Sequence, residues 1–202
     1  MLDPNFVYLA AAITLIGISA YAIETLRGRT QPNLVTWTLW TIVPLITFFG
    51  QLSKDVGLSS LYALAYALGP LFVVIASFAN KKAYWHLTLF DYLCGAISLL
   101  ALLLWYTTGD GLLAIILSIT ADFVAGLPTL RKGFRHPGSE NTVAYIAGIF
   151  SATITLLTIQ TWNLATGFFP IYILLDSALI YLTIKVFSRF SRLNPKAKSF
   201  QV

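Results

Sequence analysis

The chain has 202 residues, 57% of them hydrophobic, with 13 Lys and Arg, 8 Asp and Glu, and a mean hydropathy of +0.78. A soluble domain carries about 25% charged residues; at 10% this chain cannot coat a water-facing surface, which excludes a separate soluble domain and leaves a lipid-facing exterior. The formal net charge of +5 does not point to nucleic acid, because the basic residues sit at the ends of hydrophobic runs and form no face with interleaved aromatics.

A bilayer core about 30 Å thick takes about 20 apolar residues at about 1.5 Å each. Seven stretches qualify, at residues 6–26, 34–52, 58–79, 87–107, 111–130, 142–161 and 168–187. The first follows no basic n-region and is too long for the apolar part of a signal peptide, so it reads as a retained helix. The breaks carry turn and charge signals: Arg27-Gly28-Arg29, Ser53 to Gly57, Asn80-Lys81-Lys82, Gly109-Asp110-Gly111 and Arg131 to Asn141. Asn163 to Gly167 is the least marked break, but joining its flanks would give a helix about twice the length a bilayer needs.

Alternate segments hold Arg27 and Arg29; Lys81 and Lys82; Arg131, Lys132 and Arg135; and Lys185, Arg189, Arg192, Lys196 and Lys198. The opposite set holds only Lys54. Short basic loops resist translocation, so the amino terminus is expected outside and the basic tail in the cytoplasm of a plasma (inner) membrane. Cys94 is the only cysteine, so no intrachain disulfide can form.

The sequence also repeats. "ETLRGRTQPNLVTW" after the first stretch and "PTLRKGFRHPGSENTVAY" after the fifth align Thr25-Leu26-Arg27 with Thr129-Leu130-Arg131. Beyond a short insertion, Asn33, Val35, Trp37 and Thr47 meet Asn141, Val143, Tyr145 and Thr155. The expected fold is an all-α integral membrane protein of seven transmembrane helices in a 3+1+3 arrangement. Two parallel three-helix repeats, 1–79 and 111–187, are joined by a linker helix within 80–110 and followed by a basic tail, 188–202. Parallel repeats need an odd linker to keep the same orientation.

This arrangement resembles the SWEET (MtN3/saliva) and PQ-loop superfamily of small seven-helix transporters. The local likeness lies in "LPTLRKGFRHPGSE", where Pro128 as a helix-ending proline precedes a basic, Ser-containing loop, and in Phe48-Phe49-Gly50 closing the second helix. Glu24 stands where the first repeat would carry the proline, Val35-Thr36 replaces a Pro-Tyr pair, and Thr129 replaces a glutamine. The resemblance implies a pocket between the repeats, lined by a polar residue from the third helix of each, commonly asparagine. The matching positions here are Tyr66 and Asp176, which disfavours a neutral sugar and suits proton coupling or a cationic substrate.

A charge near the bilayer centre costs about 2.5–3.5 kcal/mol on insertion scales, so it usually faces the bundle interior. Asp122 and Asp176 fall near mid-depth. Asp122 shares a small-residue face with Ser118, Ala125, Gly126 and Thr129, which also suits a simple helix contact. Asp91 and Glu24, nearer the ends, are expected at interfacial water. Tyr62 and Tyr66 lie one turn apart, and Asp176 is a candidate partner for the Tyr66 hydroxyl. Trp37 and Trp40 are expected in an interfacial belt. The substrate-binding candidates are therefore Tyr66, Asp176, Asp122 and Tyr62. Pro44, Pro70 and Pro128 are hinge candidates, since each removes a helix hydrogen bond, although a static kink is equally served.

An enzyme is not expected: His86 and His136 fall in loops, no His-Glu-x-x-His pair occurs, and Lys185 lies too far along its helix for a retinal lysine. No cofactor or metal is expected. The function these residues point to is alternating-access transport of a small polar solute (a sugar, amino acid or organic cation), with proton coupling an option. The alternative is a seven-helix sensor or scaffold without transport. The partners are the solute and the lipid bilayer, with homo-oligomerisation open.

Overall fold

The computed structural model describes residues 1–80, 85–108 and 110–193. Its α-helices are Phe6–Leu26 (α1), Leu34–Leu52 (α2), Leu61–Ala79 (α3), Leu89–Thr108 (α4), Gly111–Arg135 (α5), Val143–Thr158 (α6) and Leu164–Leu193 (α7). The fold is all-helical, 83% helix, with no strand among the described residues. Of the predicted loop and tail signals, Lys81, Lys82, Gly109, Lys196 and Lys198 lie outside the described residues.

Five helices are long and apolar enough to cross a bilayer: α1, α2, α3 with the 3-10 turn Gly57–Ser60 before it, α5 and α7. α6 is apolar but only 16 residues long, about 24 Å at 1.5 Å per residue. The apolar part of α4 covers Leu89–Leu104. Ile16, Ile75, Leu103, Phe150, Leu175 and Leu182 are each more than half exposed on the perimeter. Such a surface would associate in water and is matched by lipid tails.

Side-chain caps explain where several helices begin. Asn33 accepts from the Thr36 N–H at 3.2 Å, and Asp110 accepts from the Leu112 and Leu113 N–H groups at 2.7 and 2.8 Å. At Asn163 the cap is reciprocal: its Oδ1 accepts from the Thr166 N–H, and the Thr166 hydroxyl accepts from the Asn163 N–H, both at 3.0 Å. The faint break predicted at 163–167 is therefore a helix start, and the chain reverses over 159–163 instead. α7 begins earlier than predicted and continues past 187 to Leu193, so the first residues assigned to the tail are helical.

Pro128 does not end its helix. α5 runs on to Arg135, because losing one backbone hydrogen bond is tolerable where neighbouring contacts hold the next turns. Here Lys132, only 2% exposed, anchors the end of α5 to the following loop. α6 is shorter than predicted, stopping at Thr158.

α3 packs against both α1 and α2, and α7 against both α5 and α6. Between these triplets α1 lies on α6 and α2 lies on α5, while α4 packs on α5 with a smaller contact to α2. Exchanging α1, α2 and α3 for α5, α6 and α7 preserves the main contacts among these six helices but not the placement of α4, which lies on the α5 and α2 side. Small residues allow the approach. A methyl on Gly17 of α1 would sit 2.1 Å from the Ala147 Cβ of α6, and one on Gly50 of α2 would sit 3.1 Å from the Gly111 carbonyl of α5.

The bundle has two chemically distinct ends. Gln31, Asn80, Lys132 and Glu140 meet at one, where the Gln31 N–H donates to the Ser139 carbonyl at 3.1 Å and Asn80 donates to the Leu26 carbonyl at 2.7 Å. At the other, Leu2 donates its N–H to the Leu157 carbonyl at 2.7 Å, Gln51 donates to the Ala165 carbonyl at 3.0 Å, and Lys54 faces Asp110 at 3.9 Å. We expect Gly17→Val to destabilise the fold by roughly 1–3 kcal/mol, since the facing Cβ lies on a helix backbone that must shift. Chemical unfolding of the protein in detergent checks this, with Gly138→Val, where no atom lies within 4 Å, expected to be near neutral.

Candidate functional site

Two hydrophobic clusters fill the bundle. Toward the basic end Tyr21, Trp37, Trp40, Val73, Tyr145 and Ile180 pack together; toward the other, Val7, Tyr62, Ile119, Phe169, Tyr172 and Ile173. Between them lies an internal cavity of about 40 Å³, measured as the space open to water-molecule centres. A water needs roughly 10–15 Å³ on that measure, so the cavity in this conformation has room for a few waters, and a larger solute requires its walls to move apart. Its walls come from α1 (Ile18), α2 (Trp37, Trp40, Pro44), α3 (Tyr66, Pro70), α5 (Asp122), α6 (Ala144, Tyr145) and α7 (Ile173, Asp176, Ser177).

The cavity brings together Tyr66, Asp122 and Asp176, with Pro44 and Pro70 beside them. Tyr62 is not among its walls; it is buried in the second cluster, with its ring 5.1 Å from that of Tyr66 and its hydroxyl 3.4 Å from the Ser151 hydroxyl, a long contact. Pro128 is likewise buried in α5 and does not line the cavity.

The hydrogen bonds differ from those expected. The Tyr66 hydroxyl makes none with Asp176. It lies beside Gly148 and Ser177, where an added Gly148 methyl would come within 2.6 Å of it. The tyrosine paired with an acid is Tyr172, whose hydroxyl donates to Asp122 Oδ2 at 2.7 Å. Asp122 Oδ1 is buried with no partner, and no hydrogen-bond donor acts on Asp176 among the described residues. On the α5 side, Asp176 Oδ1 and the Trp40 ring both border Gly126. Sequence reasoning missed Tyr172, although it lies one turn before Asp176 on the same face of α7. It also missed Tyr145 and Ser177 as cavity walls; Tyr145 was signalled by its alignment with Trp37.

Trp37 and Trp40 are not belt residues. They are 1% and 8% exposed, and the Trp40 indole N–H donates to the Asp122 carbonyl at 3.3 Å. The Tyr21 ring lies 4.6 Å from Trp37, tilted, and 6.5 Å from Tyr145, edge-on, so it backs the two rings that roof the cavity on the basic side. Depth along a helix placed the tryptophans near an interface, but the face of α2 that carries them turns toward α5. Asp91, expected at interfacial water, is 3% exposed: it accepts from Asn33 at 2.8 Å and from the Thr88 N–H and hydroxyl, tying α4 to the start of α2. Glu24 is a boundary charge, bridging Arg27 at 2.8 Å and Arg29 at 3.3 Å.

Beyond the aromatic roof lies a second polar centre. Lys132 and Glu140 pair at 2.5 Å, with side chains 1% and 0% exposed. Glu140 Oε1 is met by this ammonium alone, while Oε2 accepts from Tyr21 at 2.7 Å and from Tyr145 at 3.4 Å. Lys132 also donates to the Gln31 carbonyl and lies 5.0 Å from the Trp85 ring centre. This latch joins the α1–α2 connection to the α5–α6 connection. Its residues were read in the sequence only as a loop charge and a loop acid. At the helix ends, burial and then the Arg135 and Lys132 charges hold His136 below the usual imidazole range, and the Leu113 N–H holds Asp110 below the usual carboxylate range.

Among the described residues no group of three or more His, Cys, Asp or Glu is placed to hold a metal. No protein-family model, characterised protein or solved structure matches this chain.

Two mutational outcomes follow from this geometry. Tyr172→Phe strands a buried carboxyl oxygen and should cost roughly 1–3 kcal/mol, whereas Tyr62→Phe, whose bond is long, should cost about 1 kcal/mol or less; equilibrium unfolding in detergent separates the two. Lys132→Met should destabilise by roughly 3–5 kcal/mol because it leaves Glu140 buried and unpaired, and adding Glu140→Gln should recover most of that loss. A double-mutant cycle on the same measurement checks the coupling.

Proposed function

We propose that this chain is a distant member of the SWEET/PQ-loop superfamily and carries a small polar solute across the plasma (inner) membrane by alternating access. In this reading all seven helices cross the bilayer, with the amino terminus outside and the basic end cytoplasmic. α1, α2, α3 and α5, α6, α7 are the two parallel repeats and α4 is the linker. The observation that carries it is a mid-bundle cavity, bordered by both triplets, that contains two carboxyl groups and has a hydrophobic cluster on either side.

Supporting observations are independent of one another. The packing of the two triplets is reciprocal. Aligned residues play matching parts: Asn33 and Asn141 both accept backbone N–H groups at the start of the second helix, Trp37 and Tyr145 both roof the cavity, and Thr25 and Thr129 are both fully buried. A buried acid without a cation is costly and is usually retained for a task.

The cavity as it stands is an occluded form. Opening toward the cytoplasm requires the aromatic roof to part and the latch between Gln31, Lys132 and Glu140 to release, with Pro44 and Pro70 placed beside the cavity to let α2 and α3 bend. Opening to the outside requires the Tyr62, Phe169 and Val7 cluster to separate. The chain supplies both triplets itself, so the cavity does not need a second copy.

The test uses Cys94→Ser as background, since no other thiol is present. Ser177→Cys in oriented vesicles is expected to react with a membrane-impermeant thiol reagent from either side. Protection from both sides, or reaction from one only, would favour the sensor or scaffold. A Gln31→Cys, Ser139→Cys pair, oxidised to a disulfide across the latch, is expected to abolish labelling from the cytoplasmic side and restore it on reduction. Lys54→Cys is expected to label from outside only.

A further inference from the structure

Resting on the carrier reading, we infer that the solute is a small organic cation, an alkylammonium or quaternary ammonium compound, held by Asp176 and Asp122 against the faces of Trp37, Trp40, Tyr66 and Tyr145. The charge balance of the cavity carries the inference. Two carboxyl groups line it and no Lys or Arg does. The nearest lysine along α5, Lys132, is ten residues from Asp122, about 15 Å, and is already committed to Glu140. One oxygen of Asp122 is buried without a donor, and among the described residues burial alone, with no hydrogen-bond donor or cation, acts on Asp176. A buried carboxylate needs a positive charge or a proton. With the site empty a proton serves; a cationic solute entering displaces it, and the exchanged charges balance.

The wall chemistry selects among cations and against other solutes. A neutral sugar presents many hydroxyls, each needing a partner when buried. Beyond the two acids the walls offer few polar groups: the hydroxyls of Ser177, Tyr66 and Tyr145, the last directed at Glu140, and the indole N–H groups of Trp37 and Trp40, the second already donating to the Asp122 carbonyl. A zwitterionic amino acid would bring its own carboxylate against two others. A bare metal ion prefers a shell of six or more oxygens, whereas these walls are mostly ring and aliphatic carbon. Aromatic faces around an acid are what an alkylated ammonium group binds, by cation–π attraction and apolar contact together.

Proteoliposomes loaded with choline test this by counterflow of labelled choline, with tetramethylammonium, methylammonium, glucose and glycine as competitors. Expected results are saturable choline exchange, inhibition by both other ammonium ions, and no inhibition by glucose or glycine at tenfold excess. Asp176→Asn is expected to lower exchange at least tenfold, with partial recovery in Asp176→Glu. Unfolding midpoints in detergent show whether each variant is folded, and tetramethylammonium is expected to raise the midpoint of the native protein and not of Asp176→Asn. Exchange of glucose or glycine without any ammonium ion would overturn the cation assignment and leave the carrier reading intact. A tetramethylammonium-dependent shift without flux of any solute would keep the cation site and overturn the carrier. Choline exchange undiminished in both Asp176→Asn and Asp122→Asn would overturn the assigned site.

Discussion

Charge buried in a lipid-matched bundle must be answered within the bundle, and the arrangement of acids here follows from that constraint. Glu140 is answered by the Lys132 ammonium and by two tyrosine hydroxyls. Asp91 is answered by neutral donors, the Asn33 amide and the backbone and side chain of Thr88. Among the described residues Asp122 is answered on one oxygen only, by Tyr172, and Asp176 by no donor or cation. The first two are structural: they close a connection or fix a helix. The last two border the mid-bundle cavity between the two hydrophobic clusters.

That space exists because of how the triplets meet. Glycine and alanine bring α1 onto α6 and α2 onto α5, while bulky aromatic side chains from α2, α3, α6 and α7 fill the layers above and below. Backbones held close at the seams and propped apart by rings between them leave a gap at the level of the two acids. The roof of Trp37 and Tyr145, with Tyr21 behind it, touches the latch directly, since Tyr21 and Tyr145 both donate to Glu140. Movement of the latch is thereby coupled to the roof of the cavity through shared hydrogen bonds.

Much of the fold was legible because bilayer physics writes itself in composition. Runs of apolar residues located every helix, and α1 and α2 match their predicted bounds. Boundaries failed where a cap or a tertiary anchor overrode a sequence signal: Asn163 starts α7 where a loop was expected, and Lys132 holds α5 together past Pro128. Within the site, the acids were singled out by their depth, and Tyr66 by the repeat comparison together with its depth. Depth also misplaced Trp37, Trp40 and Asp91, because position along a helix says how far a residue lies from an interface and nothing about which neighbour its face meets.

The sequence by itself determined that the chain is helical, that its surface suits lipid, and which residues were too polar to sit in the membrane without a reason. Periodicity and hydropathy are local properties, readable one helix at a time. Only the tertiary structure decided which acid pairs with which tyrosine, that Tyr62 and Pro128 stand apart from the cavity, and that Lys132 in the last turn of α5 and Glu140 in the loop beyond it form a buried latch. Those pairings join residues as much as 119 positions apart, as Tyr21 and Glu140 are, and depend on helix rotation and close approach at glycines. No single stretch of the chain encodes either.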